Sequence, residues 1–189
     1  MTVSVISRKD AVSTTWSGGT TTEFYLFPRD GSYKEHRFDL RISSATVDLE
    51  ASDFTLLPDY QRIITPLEGG FTLTYKETGE KVTLAPLEED FFDGAYHTHS
   101  IGKAIDFNVM YKKGMHAAYS VINASKKFGL ADFRFLYVPF IDAKDLTGST
   151  LNEHSLTRDT LYVSDDRSDA FVLALKKPVS LIYVSVRKA

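Results

Sequence analysis

Glu23, Arg41, Arg62, Asp106 and Asn108 are the residues whose side chains could do chemistry together, because each falls on a segment patterned like a β-strand. Two guanidinium groups in one pocket can clamp a small carboxylate through bidentate hydrogen bonds. Carboxylates and an amide beside them can orient an amine, amide or imidazole of the same ligand. The competing reading makes them outward-facing strand residues or ion pairs that hold the fold together, as most charged side chains are. Trp16-Ser17-Gly18-Gly19 offers a lid or pocket wall, with Gly18 and Gly19 allowing close backbone approach and the only tryptophan providing an aromatic cover. The alternative is a loop whose Trp16 plugs one end of the fold.

Other chemistries find less support. His97-Thr98-His99 would put two imidazoles on one face of a strand, but Ser100 to Ala104 supplies no carboxylate to complete a ligand set. Catalytic metals generally take three protein ligands. No metal and no cofactor is therefore expected. The chain has no cysteine, which removes disulfides, zinc-thiolate sites and thiol nucleophiles. Neither a GxSxG elbow nor a phosphate-binding glycine loop is present.

The elements that must position these residues read as strands. In Phe38 to Ser43 the apolar Phe38, Leu40 and Ile42 alternate with Asp39, Arg41 and Ser43, so Arg41 projects away from the apolar set. Gln61 to Leu67 and Phe71 to Tyr75 are joined by Glu68-Gly69-Gly70, which reads as a hairpin. Thr20 to Phe27 places Thr21, Glu23, Tyr25 and Phe27 on one face, whereas Asp10 to Gly19 reads as loop and Pro86 to Tyr96 as irregular. Ala104 to Tyr111 alternates Asp106, Asn108 and Met110 against Ile105, Phe107, Val109 and Tyr111. Further strands are expected at 3–6, 82–85, 117–122, 133–138, 151–156, 160–163, 171–175 and 179–186, with Lys176-Lys177-Pro178 closing a final hairpin. Helix is nearly absent from this reading.

With 189 residues, 43% apolar and 13% aromatic, the chain has the composition of a globular β protein. Its net charge of −3 comes without a basic tract, so nucleic acid is not an expected partner. No apolar run is long enough to span a bilayer and the N-terminus lacks a signal-peptide pattern, which points away from the membrane and toward the cytoplasm.

Four blocks together resemble a known family: Trp16 to Glu23, Phe38 to Ala45, Leu57 to Arg62 and Asp106 to Met110. In composition and order they resemble the HutD/Ves family of cupin-like proteins. The five polar candidates all lie within these blocks. Ser17 leads directly into Gly18-Gly19, and Asp59 follows Pro58; at both places the family pattern differs. The resemblance implies an all-β bicupin of the RmlC-like type, two packed antiparallel β-barrels with little helix, commonly a homodimer. It also implies a link to histidine utilisation or stress response. Residues 1–114 would form the barrel that carries the motifs, and 115–189 a β-rich half packed against it with strands shared. The resulting expectation is a metal-independent binding protein for a small polar, carboxylate-bearing metabolite. The alternatives are an isomerase or hydrolase using Glu23 or Asp106 as general base, and a protein-interaction module.

Overall fold

The structure is a computed structural model that describes residues 3–188. In chain order its strands are β1 (Ser4–Ser7), β2 (Val12–Trp16), β3 (Gly19–Phe27), β4 (Leu40–Val47), β5 (Ala51–Asp53), β6 (Tyr60–Gly69), β7 (Phe71–Tyr75), β8 (Lys81–Leu84), β9 (Asp90–Asp93) and β10 (Thr98–Ile101). Then follow β11 (Ala104–Lys112), β12 (His116–Ile122), β13 (Lys126–Lys127), β14 (Phe133–Val138), β15 (Thr150–Leu151), β16 (His154–Ser155), β17 (Thr160–Ser164), β18 (Val172–Ala174) and β19 (Leu181–Arg187). All their pairings are antiparallel. Among the described residues helix is confined to a 3₁₀ turn at Arg8–Asp10 and to α1 (Ala143–Leu146), and none of it is long and apolar enough to cross a membrane. The contacts divide the chain into two units, Ala11–Lys113, and Met1–Asp10 with Gly114–Ala189.

The first unit is a six-stranded sheet, β2-β3-β4-β11-β6-β9, and a four-stranded sheet, β5-β10-β7-β8. These sheets are open, with edge strands β2 and β9 in one and β5 and β8 in the other, which corrects the expected closed barrel. Edge strand β2 corrects the loop expected over 10–19: it pairs with β3 through a two-residue turn at Ser17-Gly18. Its Ser and Thr residues suit an edge exposed along its whole length. Strand β9 likewise stands where irregular chain was expected.

Gly69 and Gly70 do not close a hairpin. β6 pairs with β11 and β9, whereas β7 pairs with β10 and β8, so the glycines carry the chain from one sheet to the other. Gly69 has φ +74° and lies against the Lys103 carbonyl, where an added Cβ would come within 2.3 Å of that oxygen. The expected turn at Thr78-Gly79-Glu80 does close a hairpin, between β7 and β8.

The second unit pairs a five-stranded sheet, β1-β17-β14-β19-β12, with a four-stranded sheet, β13-β18-β15-β16. Strand β1, placed by its position in the sequence with the first half, bonds to β17 instead. β14, at the centre of its sheet, is buried at every residue, as its near-continuous apolar run requires. Lys176-Lys177-Pro178 joins β18 to β19 across two sheets rather than within a hairpin. One cluster fills the interior, built from Leu136, Val138, Leu151, Tyr162, Phe171 and Leu173 among others.

Candidate functional site

In the first unit the interior is interrupted. Phe38, Leu57, Tyr60 and Met110 form one apolar cluster, while Ile64, Phe71, Leu73, Tyr75, Leu84, Phe92 and Ala104 form another. Met110 of the first cluster and Phe54, packed on the second, both line a cavity of about 560 Å³. That volume lies within the range of small-molecule sites, roughly 300 to 1,000 Å³.

Strand periodicity fills the cavity wall. On β4, Arg41, Ser43, Ala45 and Val47 share the face that lines it, with Leu40 and Ile42 on the other face and fully buried. On β11 the matching set is Asp106, Asn108 and Met110, and the register sets Asp106 opposite Ala45, Asn108 opposite Ser43 and Met110 opposite Arg41. Arg62 enters from β6, opposite Met110. Glu23 enters from β3, opposite Ser43, just before a bulge. That bulge corrects the expected face of β3: Glu23 opposes Ser43 and Leu26 opposes Arg41, so Tyr25, opposite Ile42, turns to the other side.

The two arginines sit in different company. Arg41 Nε donates to Glu23 Oε2 at 2.7 Å and Nη1 donates to Ser43 Oγ at 3.0 Å, while Tyr33 covers the guanidinium at 4.1 Å. Arg62 has no carboxylate within ion-pair distance among the described residues. Its guanidinium carbon stands 4.7 Å from the Phe54 ring and 5.1 Å from the Phe92 ring, and its buried Nε has no hydrogen-bond acceptor. Stacking on aromatic faces is a favourable setting for a cation. Burial lowers the Arg62 pKa to about 10, which leaves it charged at neutral pH.

Asp106 is 5% exposed, and burial pushes its pKa up to about 7. The Ala45 N–H, donating to Oδ1 at 3.2 Å, and the charges of Arg62 and Arg41 oppose that rise without cancelling it. The buried Asn108 Oδ1 accepts no hydrogen bond. The wall thus presents a cation with an unsatisfied Nε, an amide oxygen that accepts no hydrogen bond and a carboxyl whose pKa is raised to about 7.

All five residues expected from the sequence, Glu23, Arg41, Arg62, Asp106 and Asn108, line this one cavity. Trp16 lines it from edge strand β2 and is 38% exposed. Gly18 and Gly19 are not part of the lining. Gly18 lies under the Trp16 ring, whose Cζ3 would be 2.1 Å from an added Cβ, and Gly19 lies against the Thr46 carbonyl. Sequence reading missed Tyr33 and Phe54, the aromatic partners of the two arginines. Both come from outside the regular strands, where no spacing marks them. Ser43 and Ala45 were accessible in principle, two and four residues beyond Arg41 on the same face.

The HxH triplet lies elsewhere. His97 Nδ1 pairs with Glu77, and His99 Nδ1 lies 2.8 Å from Asp53 Oδ1. Neither imidazole lines the cavity, and no group of three or more His, Cys, Asp or Glu that could hold a metal occurs among the described residues. The cavity wall carries carboxylates and guanidinium groups but no imidazole, a donor set that does not fit the histidine-rich metal centre of a metal-dependent cupin.

Comparison with known proteins gives this arrangement its relatives. No curated protein matches the chain. HutD from Pseudomonas fluorescens SBW25, in a structure described as its formate condition, is similar over all of both chains at 22% identity and a TM-score of 0.81. PA5104 from Pseudomonas aeruginosa PAO1, described as a conserved protein of unknown function, is similar over the same extent at 21% and 0.81. The Escherichia coli pirin YhhW, solved with nickel(II), matches over all of both chains at 9% identity and a TM-score of 0.67. These likenesses establish a cupin-like β fold. The family model described as HutD matches residues 8–181, nearly the whole sequence, and the chain belongs to the HutD family.

Proposed function

We propose that this chain is a metal-independent, cupin-like binding protein for a small polar metabolite bearing a carboxylate, serving histidine utilisation as its family name suggests. In this reading the two sheet pairs are the halves of a bicupin, the protein acts in the cytoplasm as a homodimer, and Trp16 covers the ligand. The observation that carries the proposal is Arg62: a buried guanidinium lying against the rings of Phe54 and Phe92, facing a cavity, with no acceptor for its Nε. A buried cation with no carboxylate in contact and an unsatisfied N–H is costly, so a ligand carboxylate placed there offsets that cost. The planar fork fixes orientation as well as charge. Arg41 is held by Glu23 and shapes the wall rather than anchoring the anion.

A catalytic variant of this reading rests on Asp106. A carboxyl with a pKa of about 7 is suited to general-base work near neutral pH, whereas Glu23 is engaged by Arg41. A thermal-shift screen of small carboxylic acids against their amides tests the proposal, since a ligand that binds the native state raises stability by mass action. Acids should stabilise the protein and the matching amides much less. Equal shifts from acids and amides would contradict it.

A further inference from the structure

Beyond the carboxylate-binding reading, and resting on it, lies the charge that the cavity can accept. Arg41 and Glu23 form an ion pair at 2.7 Å and cancel. Two ionisable groups remain inside, Arg62 on β6 and Asp106 on β11, each 5% exposed and not in ion-pair contact with each other. The other titratable or charged lining groups are Tyr33, with its ring against Arg41, and Lys34 and Asp53, which are exposed and screened by water. Arg62 and an ionised Asp106 already sum to zero. A ligand carboxylate would then add an uncompensated negative charge to a buried space, which is unfavourable unless one carboxyl is protonated.

We infer that Asp106 sets the charge of what the cavity accepts: a single carboxylate seats on Arg62, and Asp106 takes up one proton from solvent as it does so. The proton returns to solvent when the ligand leaves. A neutral ligand binds with no such exchange, and a second ligand carboxylate inside the cavity finds no cation to meet it. The position of Asp106 suits this role. Its Oδ1 accepts the Ala45 N–H, a hydrogen bond that survives protonation of Oδ2. Burial, which already holds the carboxyl up to about 7, means that little further shift is needed.

Acetate is a suitable probe because it stays ionised from pH 6 to 9, the range of the experiment. It is titrated into the full chain at constant ionic strength, and binding is followed on the Arg62 Nε–H resonance, assigned by its loss in Arg62→Lys. The expected result is a Kd that is nearly constant below about pH 7 and rises roughly tenfold per pH unit above it, with Asp106→Asn giving a flat profile. A shifted Arg62 resonance with a pH-independent Kd in the wild type would overturn this inference and leave the carboxylate-binding reading standing. No shift at Arg62 at any pH would overturn both. Should Asp106→Asn fail to fold, the Asp106 carboxyl carbon of the wild type decides the matter: acetate raises its titration midpoint if the inference holds, and an unchanged midpoint overturns it.

Discussion

Arg134 in one unit and Arg62 in the other are buried arginines on interior strands, and they differ in what their guanidinium groups face. Arg134 on β14 is wholly enclosed, with Nη2 donating to Ser164 Oγ at 2.9 Å and to the Asp166 carbonyl at 2.7 Å and with Phe171 at 5.4 Å, while its Nε and Nη1 are buried without an acceptor. Arg62 on β6 also keeps a buried Nε without an acceptor, but it opens on a cavity where a ligand could supply one. Both units are built from two antiparallel sheets. In the second unit Leu136, Phe171 and their neighbours fill the space between strands, whereas in the first Ser43, Ala45 and Asn108 stand where large apolar side chains would have closed it. A shared two-sheet frame therefore says little about function, which depends on what the inward-facing positions carry.

The largest expected effect comes from removing filler where the interior is solid. Phe171→Ala deletes a side chain with no exposed surface that packs edge-on against Phe128, and it should cost about 3 to 5 kcal/mol of unfolding free energy in denaturant titrations. A loss under about 1 kcal/mol would mean that the second unit is less tightly filled than the first, and would erase the contrast.

Next comes the pH dependence of the cavity side. A carboxyl whose folded pKa is raised gives a stabilising contribution that is fully present below its unfolded value of 3.8 and lost as pH rises through about 7. Through Asp106 alone, stability should fall by up to about 4 kcal/mol across that window. Asp106→Asn should flatten this slope and be the more stable protein at pH 8. Parallel pH profiles for wild type and variant would remove the buried acid from the account.

The arginines themselves give the smaller effects. Arg41→Met strands Glu23, and because Glu23 is 23% exposed the loss should be about 2 to 3 kcal/mol, below the full value for breaking a buried pair. Arg62→Met leaves no carboxylate stranded by an ion pair and should change stability by less than about 1 kcal/mol, in either direction. A reversed order would mean that Arg62 is the structural arginine and Arg41 the ligand-facing one.

The parts of this picture legible in the sequence were those carried by alternation. Period two placed Arg41 with Ser43, and Asp106 with Asn108 and Met110, and β14 is expected at 133–138, where it lies. Non-local pairing was not legible. Gly69-Gly70 and Lys176-Lys177-Pro178 mark places where the chain turns, but nothing local says whether the next strand joins the same sheet or the facing one. The bulge after Glu23 shifts the phase of β3 by one residue and leaves no compositional mark. Tyr33 and Phe54 reach the arginines from irregular segments, so their role appears only once the chain is folded.

The central claim is that Arg62 holds the ligand's carboxylate, and Arg62→Lys tests it most directly, because lysine keeps the charge and loses the planar fork. Acetate affinity and unfolding free energy should be measured on the same protein. The account predicts affinity weakened by about 1 to 3 kcal/mol with stability changed by less than about 1 kcal/mol. Unchanged affinity together with a large loss of stability would contradict it.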